Sequence, residues 1–403
     1  MADWLRAVFS GRPWWMNALM LFCGYMACVY VPWDFFAKPV AQAAEVWLGV
    51  MLRGWAARLT EPLHGLLYAA GAYGFYRMRS WMWPWASVYA ASVAVGMFVW
   101  CAVYAMDGLG GVLLGAALFV PFALLARALW RARALFGAPR PPLSERYGEW
   151  ALITGASSGL GAAFARALAR EGMSCALTAR RGERLEALAK ELEESYRVQT
   201  RSVSVDLSGP AGAQQLLDAV ADLPIAVLVS NAGFGQVGRF DKLDAERLCE
   251  MVQLHCTTLV SLASRLVPGM RDRGRGALVV TGSISGRQPL PLHGVYSATK
   301  GFQLLLGEAL WVELRGSGVD VLVVEPGPVE TEFQQAAGEI AHAGEAPERV
   351  VEVALEALGR QPTVISRWFD WLRVQVATRL LPRPLVAFVA RDVIGAWTPE
   401  DRH

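Results

Sequence analysis

The chain is predicted to combine two architectures: an all-α membrane segment of about four transmembrane helices, then an α/β domain built on a doubly wound parallel sheet. Three observations predict this. Long runs without Asp, Glu, Lys or Arg fill the region before residue 135. After residue 149, short apolar runs alternate with helix-like stretches. A glycine-rich turn directly follows the first of those apolar runs.

Of the 403 residues, 54% are hydrophobic and 18% charged, against roughly 45–50% and about 25% in an average soluble domain. The excess is local, because most of the 16 tryptophans fall before residue 135 or after 365. A net charge of +2 argues against a nucleic-acid surface. The six cysteines form no C-x-x-C pair, and with five dispersed histidines no metal-ligand spacing emerges. Cys175 and Cys256 lie in apolar stretches, which fits free thiols in a reducing compartment.

Residues 1–135 read as the membrane domain, with spans near 14–33, 62–77, 83–106 and 108–127. Three of these runs reach the roughly 17–25 residues that a spanning helix requires. The run at 62–77 is shorter and holds His64. Trp14, Trp15, Trp81, Trp83 and Trp85 sit at run ends, where an aromatic belt is expected. Arg6 and Arg12 precede the first run, Arg77 and Arg79 separate the second and third, and Arg127, Arg131 and Arg133 follow the fourth. The other two connections carry mixed charge or Asp107 alone, so the positive-inside rule puts both ends of the segment in the cytoplasm. A cleavable leader fits less well, since the first run is too long for its apolar core. Residues 136–148, "FGAPRPPLSERYG", form a Pro-rich linker.

From residue 149 the runs "WALITG", "SCALTAR", "RSVSVDL", "IAVLVSNAG", "GALVVTGS" and "VDVLVVEPG" end in Gly, Ser, Asp or Asn. Helical stretches between them make βα units and a parallel sheet covered on both faces. Such a sheet binds ligands outside the carboxyl ends of its strands. In "LITGASSGLGAAFARALA", Gly155, Gly159 and Gly161 permit a tight turn and close approach to a diphosphate. Ser157 and Ser158 can donate hydrogen bonds, and the helix starting near Leu160 points its positive end at the charge. At the end of the second strand stand Arg180 and Arg181, where an acidic residue would bind a ribose 2′-hydroxyl. Arginine there accommodates a 2′-phosphate, so NADP(H) is favoured over NAD(H).

Residues 150–335 resemble the short-chain dehydrogenase/reductase family in its "classical", Rossmann-type branch. The resemblance rests on "TGASSGLG" at 154–161, "DL" at 206–207, "NAG" at 231–233, "TGSISG" at 281–286, "YSATK" at 296–300 and "PGPVET" at 326–331. Within the family the pattern is similar to the hydroxysteroid and long-chain 3-ketoacyl reductases. It implies a catalytic domain over 149–335 and a helical, substrate-side region over 336–403. It further implies that Asp206 contacts the adenine amino group and Leu207 packs near its ring. Asn231, Ala232 and Gly233 would line the adenosine-ribose side. Pro326, Gly327, Val329 and Thr331 would hold the nicotinamide carboxamide.

Reducing a ketone builds charge on its oxygen, which needs a proton donor. Tyr296 and Lys300 lie one helical turn apart, and a lysine ammonium there favours the phenolate. By the resemblance, Tyr296 is the acid/base, Lys300 lowers its pKa and holds the nicotinamide ribose, and Ser283 orients the carbonyl. His255 stands where the family usually has an asparagine that holds a water linking the lysine to solvent. Two roles stay open for it: an altered proton relay, or a core histidine satisfied by hydrogen bonds. His293 is near enough in sequence to touch substrate, although a loop histidine is more often solvated. The tail "VISRWFDWLRVQVATRLLPRPLVAFVARDVIGAW" is basic and amphipathic, suiting a membrane surface or a packed helix.

The function so implied is a membrane-anchored, NADPH-dependent reductase of a lipophilic carbonyl compound, catalytic domain cytoplasmic. Oxidation in the reverse direction, and a non-catalytic NADP(H)-binding sensor or scaffold, are the alternatives.

Overall fold

A computed structural model describes residues 13–47, 50–79, 81–106, 108–132, 136 and 141–402. The chain divides into two compact units, Met1–Arg140 and Pro141–His403. Arg6, Arg12, Ser80, Asp107, Arg133 and part of the proposed linker lie outside the described residues.

The first unit contains helix α1 (Trp14–Ala37), an antiparallel hairpin of β1 (Ala44–Trp47) and β2 (Val50–Arg53), and helix α2 (Trp55–Arg77). Helices α3 (Met82–Ala105) and α4 (Gly108–Arg131) follow. Among the described residues, three helices, α1, α3 and α4, are long and apolar enough to cross a membrane, rather than the four expected. The correction concerns residues 62–77. They belong to a helix of 23 residues that starts at Trp55 and therefore includes Arg58 and Glu61, paired at 3.0 Å and buried. Low hydropathy, not shortness, separates α2 from the others: besides Arg58 and Glu61 it carries Pro62, His64 and three glycines. Helix α4 approaches α3 closely because Gly111 and Gly115 lack side chains: a Cβ on Gly115 would lie 2.9 Å from the Phe98 carbonyl oxygen.

In the second unit a seven-stranded parallel sheet has the order β5-β4-β3-β6-β7-β8-β9. Its strands are β3 (Trp150–Thr154), β4 (Ser174–Ala179), β5 (Thr200–Ser204), β6 (Ile225–Ser230), β7 (Gly276–Thr281), β8 (Val319–Val324) and β9 (Thr363–Val364). Strands β3, β6 and β7 are buried along their whole length, as continuous apolar runs require when helices cover both faces. One face packs Phe164, Leu168, Leu185, Leu192 and Val350. The other packs Leu216, Leu262, Met270 and Leu304. The covering helices are α5 (Leu143–Tyr147), α6 (Gly159–Arg170), α7 (Gly182–Tyr196), α8 (Gly212–Ala219), α9 (Ala245–Val252), α10 (Thr258–Asp272) and α11 (Gly294–Glu313).

Strand order reverses between β3 and β6, which opens a crevice at their carboxyl ends. Helices α12 (Phe333–Ala337), α13 (Pro347–Ala357), α14 (Trp368–Arg379) and α15 (Arg383–Gly395) complete the unit. Of the two settings open to the tail, packing holds for one face of α15: Ala390 and Ile394 are buried against Leu290. Its Leu385, Phe388 and Val393 remain exposed, as do Trp368, Phe369 and Trp371 of α14.

Candidate active site

The glycine turn between β3 and α6 is shaped for close approach. Gly155 has φ +69° and Gly159 φ +53°, values that side chains rarely adopt. A Cβ on Gly155 would lie 2.9 Å from Ala232 Cα, and one on Gly161 would strike the Gly155 carbonyl and lie 2.7 Å from Asn231 Nδ2. The turn therefore presses against "NAG" at the end of β6. Thr154 fastens the two: its hydroxyl accepts from the backbone N–H of Asn231 at 2.8 Å and of Ala232 at 2.9 Å. Asn231 Nδ2 donates to the Thr154 carbonyl at 3.0 Å, and its Oδ1 accepts from Thr281 at 3.2 Å, so three central strands end in one network.

One cleft of about 520 Å³ runs along these strand ends. Gly155, Ser157, Ser158, Gly159 and Leu160 line it, as do Arg180, Arg181, Asp206 and Leu207. So do Asn231, Ala232, Gly233, Ser283, Tyr296, Lys300, Pro326, Gly327, Val329 and Thr331. Among the expected site residues, Gly161 and His255 stand behind that wall. Arg181 donates to Ser157 Oγ at 3.1 Å and Ser158 Oγ at 2.8 Å, and pairs with Glu332 at 2.6 Å. Arg184 joins it on Glu332, and the two arginines hold that carboxyl down at about 2.

At the other end of the cleft, Tyr296 on α11 is buried, and the nearby Ser283 hydroxyl donates to the Pro326 carbonyl at 3.4 Å and accepts from the Ser285 N–H at 3.1 Å. Burial pushes the phenol above its ordinary range, and the Ser283 hydroxyl only partly offsets this. Lys300 Nζ lies 5.6 Å from the Tyr296 ring centre. It donates instead to the Thr281 carbonyl at 2.7 Å and to Gln303 Oε1 at 2.9 Å. Burial lowers Lys300 from 10.5 to about 7. This differs from the expectation that the lysine depresses the tyrosine: in this arrangement desolvation governs both groups, favouring a neutral phenol and easing the loss of the ammonium proton.

His255 sits in a π-helical turn, Gln253–Thr257, between α9 and α10 and has no exposed surface. Its Nε2 accepts from the Phe234 N–H at 3.2 Å, and Nδ1 faces Thr299 Oγ1 at 2.8 Å. Thr299 donates its hydroxyl proton to the Tyr296 carbonyl at 2.8 Å, so Nδ1 carries the imidazole proton. Both nitrogens are occupied. Burial holds the ring well below its ordinary value, and it is neutral. Of the two roles open to His255, this geometry is that of a satisfied core histidine.

His293, for which substrate contact and a solvated loop position were both open, is only 4% exposed, lines the cleft and stacks on Tyr296. Sequence reasoning also passed over Gln303, Glu339 and the Glu325–Arg287 pair. Gln303 had one visible signal, a lone amide among apolar residues in "KGFQLLL". Beyond Tyr296 the cleft wall is largely apolar, with Leu290, Val386, Ala390, Ile394 and Trp397. Glu339 and His342, paired at 3.1 Å, add one polar station.

Residues 149–341 match the family described as short chain dehydrogenase. A 7β-hydroxysteroid dehydrogenase of Clostridium sardiniense is 30% identical over 226 residues, 55% of this chain and 87% of that protein. The very-long-chain 3-oxoacyl-CoA reductase of Homo sapiens is 31% identical over 249 residues, 58% of this chain and 80% of that one. Among solved structures, a short-chain dehydrogenase from Sphingobium yanoikuyae in complex with NADPH superposes with TM-score 0.53 at 34% identity, covering 56% of this chain and 92% of that one. A 7β-hydroxysteroid dehydrogenase superposes with TM-score 0.58 at 28% identity, over 62% and 99%. With the motifs in order along one sheet edge and relatives matched over most of their length, the chain belongs to the short-chain dehydrogenase/reductase family of oxidoreductases.

Proposed function

We propose that the protein is a membrane-anchored reductase that uses NADPH to reduce a ketone on a lipophilic molecule, with Tyr296 as proton donor. The observation that carries this reading is a single cleft joining the glycine turn to the Ser283–Tyr296 pair and then to an apolar wall. The residues fit a nicotinamide dinucleotide: the glycine turn is a cradle that a Cβ would fill. Gly155, Ser157, Ser158, Gly159, Leu160 and Gly161 would hold the diphosphate, with Arg180 and Arg181 at a 2′-phosphate. Asp206, Leu207, Asn231, Ala232 and Gly233 would take the adenosine side. Pro326, Gly327, Val329 and Thr331 would take the nicotinamide side, and Lys300 its ribose.

When bound, the nucleotide supplies the hydride. The remaining work belongs to the chain. Ser283 and Tyr296 place two hydroxyls where the substrate oxygen gains charge, and Tyr296 gives up its proton there. Burial keeps that phenol protonated at neutral pH, which favours the reductive direction. Lys300, protonated below about pH 7, then restores the tyrosine proton.

A lipophilic substrate is supported by the apolar wall and by relatives named for hydroxysteroids and very-long-chain 3-oxoacyl-CoA. Anchoring is supported by α1, α3 and α4. The exposed apolar face of α14 and α15, among Arg367, Arg373, Arg379 and Arg383, suits a membrane surface. Basic residues beside the runs favour a cytoplasmic catalytic domain. The test is NADPH consumption by detergent-extracted protein with steroid ketones, 3-ketoacyl thioesters and small polar ketones. The reading expects turnover of at least one lipophilic class and fails if none reacts.

A further inference from the structure

The inner side of Lys300 ends on an amide. Its Nζ donates to the Thr281 carbonyl at 2.7 Å and to Gln303 Oε1 at 2.9 Å. Gln303 Nε2 then donates to the main-chain carbonyl of His255 at 2.9 Å, inside the π-helical turn. Lys300, Gln303 and His255 are all buried, at 4%, 2% and 0% exposure. The amide orientation is fixed by its partners, because reversing it would set a donor against the ammonium and an acceptor against a carbonyl.

An ammonium has three protons. Two point inward, at Thr281 and Gln303, which leaves one direction open, toward the cleft that Tyr296 lines. A carboxamide neither gains nor loses a proton near neutral pH, so it cannot hand one on. His255 offers no detour, since Phe234 and Thr299 occupy both its nitrogens. The other titratable groups facing this cluster are Tyr296 and His293 on the cleft side and Cys256 on the π-helical turn. Burial raises the Cys256 thiol, which stays protonated.

We infer that Gln303 is a positioning residue that clamps Lys300 to the turn at His255 and closes the inner proton route, so that protons reach and leave the Tyr296–Lys300 pair only through the substrate cleft. The inference rests on the reading of Tyr296 and Lys300 as a hydride-transfer site. Gln303 also sets the charge of Lys300, by offering an uncharged acceptor where a carboxylate would hold the ammonium on.

Two near-isosteric variants of the full-length, detergent-extracted protein test it. In Gln303→Glu a carboxylate faces Lys300, and the falling limb of ketone turnover with rising pH moves up by about one unit or more. In Gln303→Met the acceptor is lost and the His255 carbonyl is orphaned; kcat falls about tenfold or more while the KM for ketone changes less than about threefold. Thermal melts from pH 6 to 10 give a readout independent of turnover. Wild type gains stability as Lys300 sheds its penalty with rising pH, and Gln303→Glu loses that gain. Superimposable pH profiles, turnover and melts in all three proteins would overturn the inference. A wild type that reduces no ketone would instead defeat the proposed function, while the melts still decide the role of Gln303.

Discussion

His293 lies face to face with Tyr296, ring centroids 4.4 Å apart and planes 14° from parallel. Phe333 closes on the same phenol from another side at 5.5 Å. The Tyr296 phenol is therefore wrapped in rings, and desolvation follows from that wrapping. Burial lowers His293 to about 4, so the imidazole is an uncharged lid rather than a second acid.

Removing that lid while keeping the rest separates shielding from acid–base work. His293→Ala admits water beside Tyr296 and is expected to lower kcat about tenfold, whereas His293→Phe stays within about threefold of wild type. Because the folded value is already about 4, turnover shows no histidine limb between pH 5 and 6.5. Steady-state kinetics over that range checks both points.

Arg287 makes two bonds of 2.6 Å to Glu325, whose carboxylate is fully buried. Arg287→Ala leaves that charge alone and is expected to cost about 3–5 kcal/mol near neutral pH. Burial already raises Glu325, and losing the arginine raises it further, so the folded protein prefers the protonated acid. The deficit is largest at high pH and shrinks as pH falls through that raised value. Denaturation of the variant at several pH values reads the slope directly.

The proposed 2′-phosphate site lies on the exposed side of the cleft. Arg181 is held by Ser157, Ser158 and Glu332 at the lip of the glycine turn. Arg181→Ala is expected to weaken NADPH binding about tenfold or more and to leave NADH within about threefold. Fluorescence titration of both nucleotides gives the two constants.

Lys300 carries a stability signature of its own. Between its folded value of about 7 and its ordinary 10.5, the unfolded chain binds a proton that the folded chain lacks. Stability therefore rises with pH across that window, and the full penalty stands below it. Lys300→Met removes this slope. Melting temperatures of variant and wild type should diverge in favour of wild type as pH increases from 7 toward 10.

What the sequence conveyed best was whatever repeats or recurs in order. The buried strands read as continuous apolar runs, and the glycine turn announced itself by position after "WALIT". Helix α2 was read as a span over 62–77 because a window of uncharged residues begins at Pro62, whereas the helix extends back through Glu61 and Arg58 to Trp55. The burial of His293 and the bridge through Gln303 were illegible for another reason. Both depend on which face of α11 meets the π-helical turn and the ends of β7 and β8, a tertiary fact with no local spacing of its own.

The most direct measurement compares wild type with Tyr296→Phe under saturating NADPH and a lipophilic ketone. The phenyl ring keeps its packing against His293 and Phe333, so the variant should melt within about 2 °C of wild type and bind NADPH equally well. Its turnover should fall about 10²–10⁴-fold, the contribution of a positioned proton donor. A folded, NADPH-binding Tyr296→Phe protein that reduces the ketone at the wild-type rate would contradict the account.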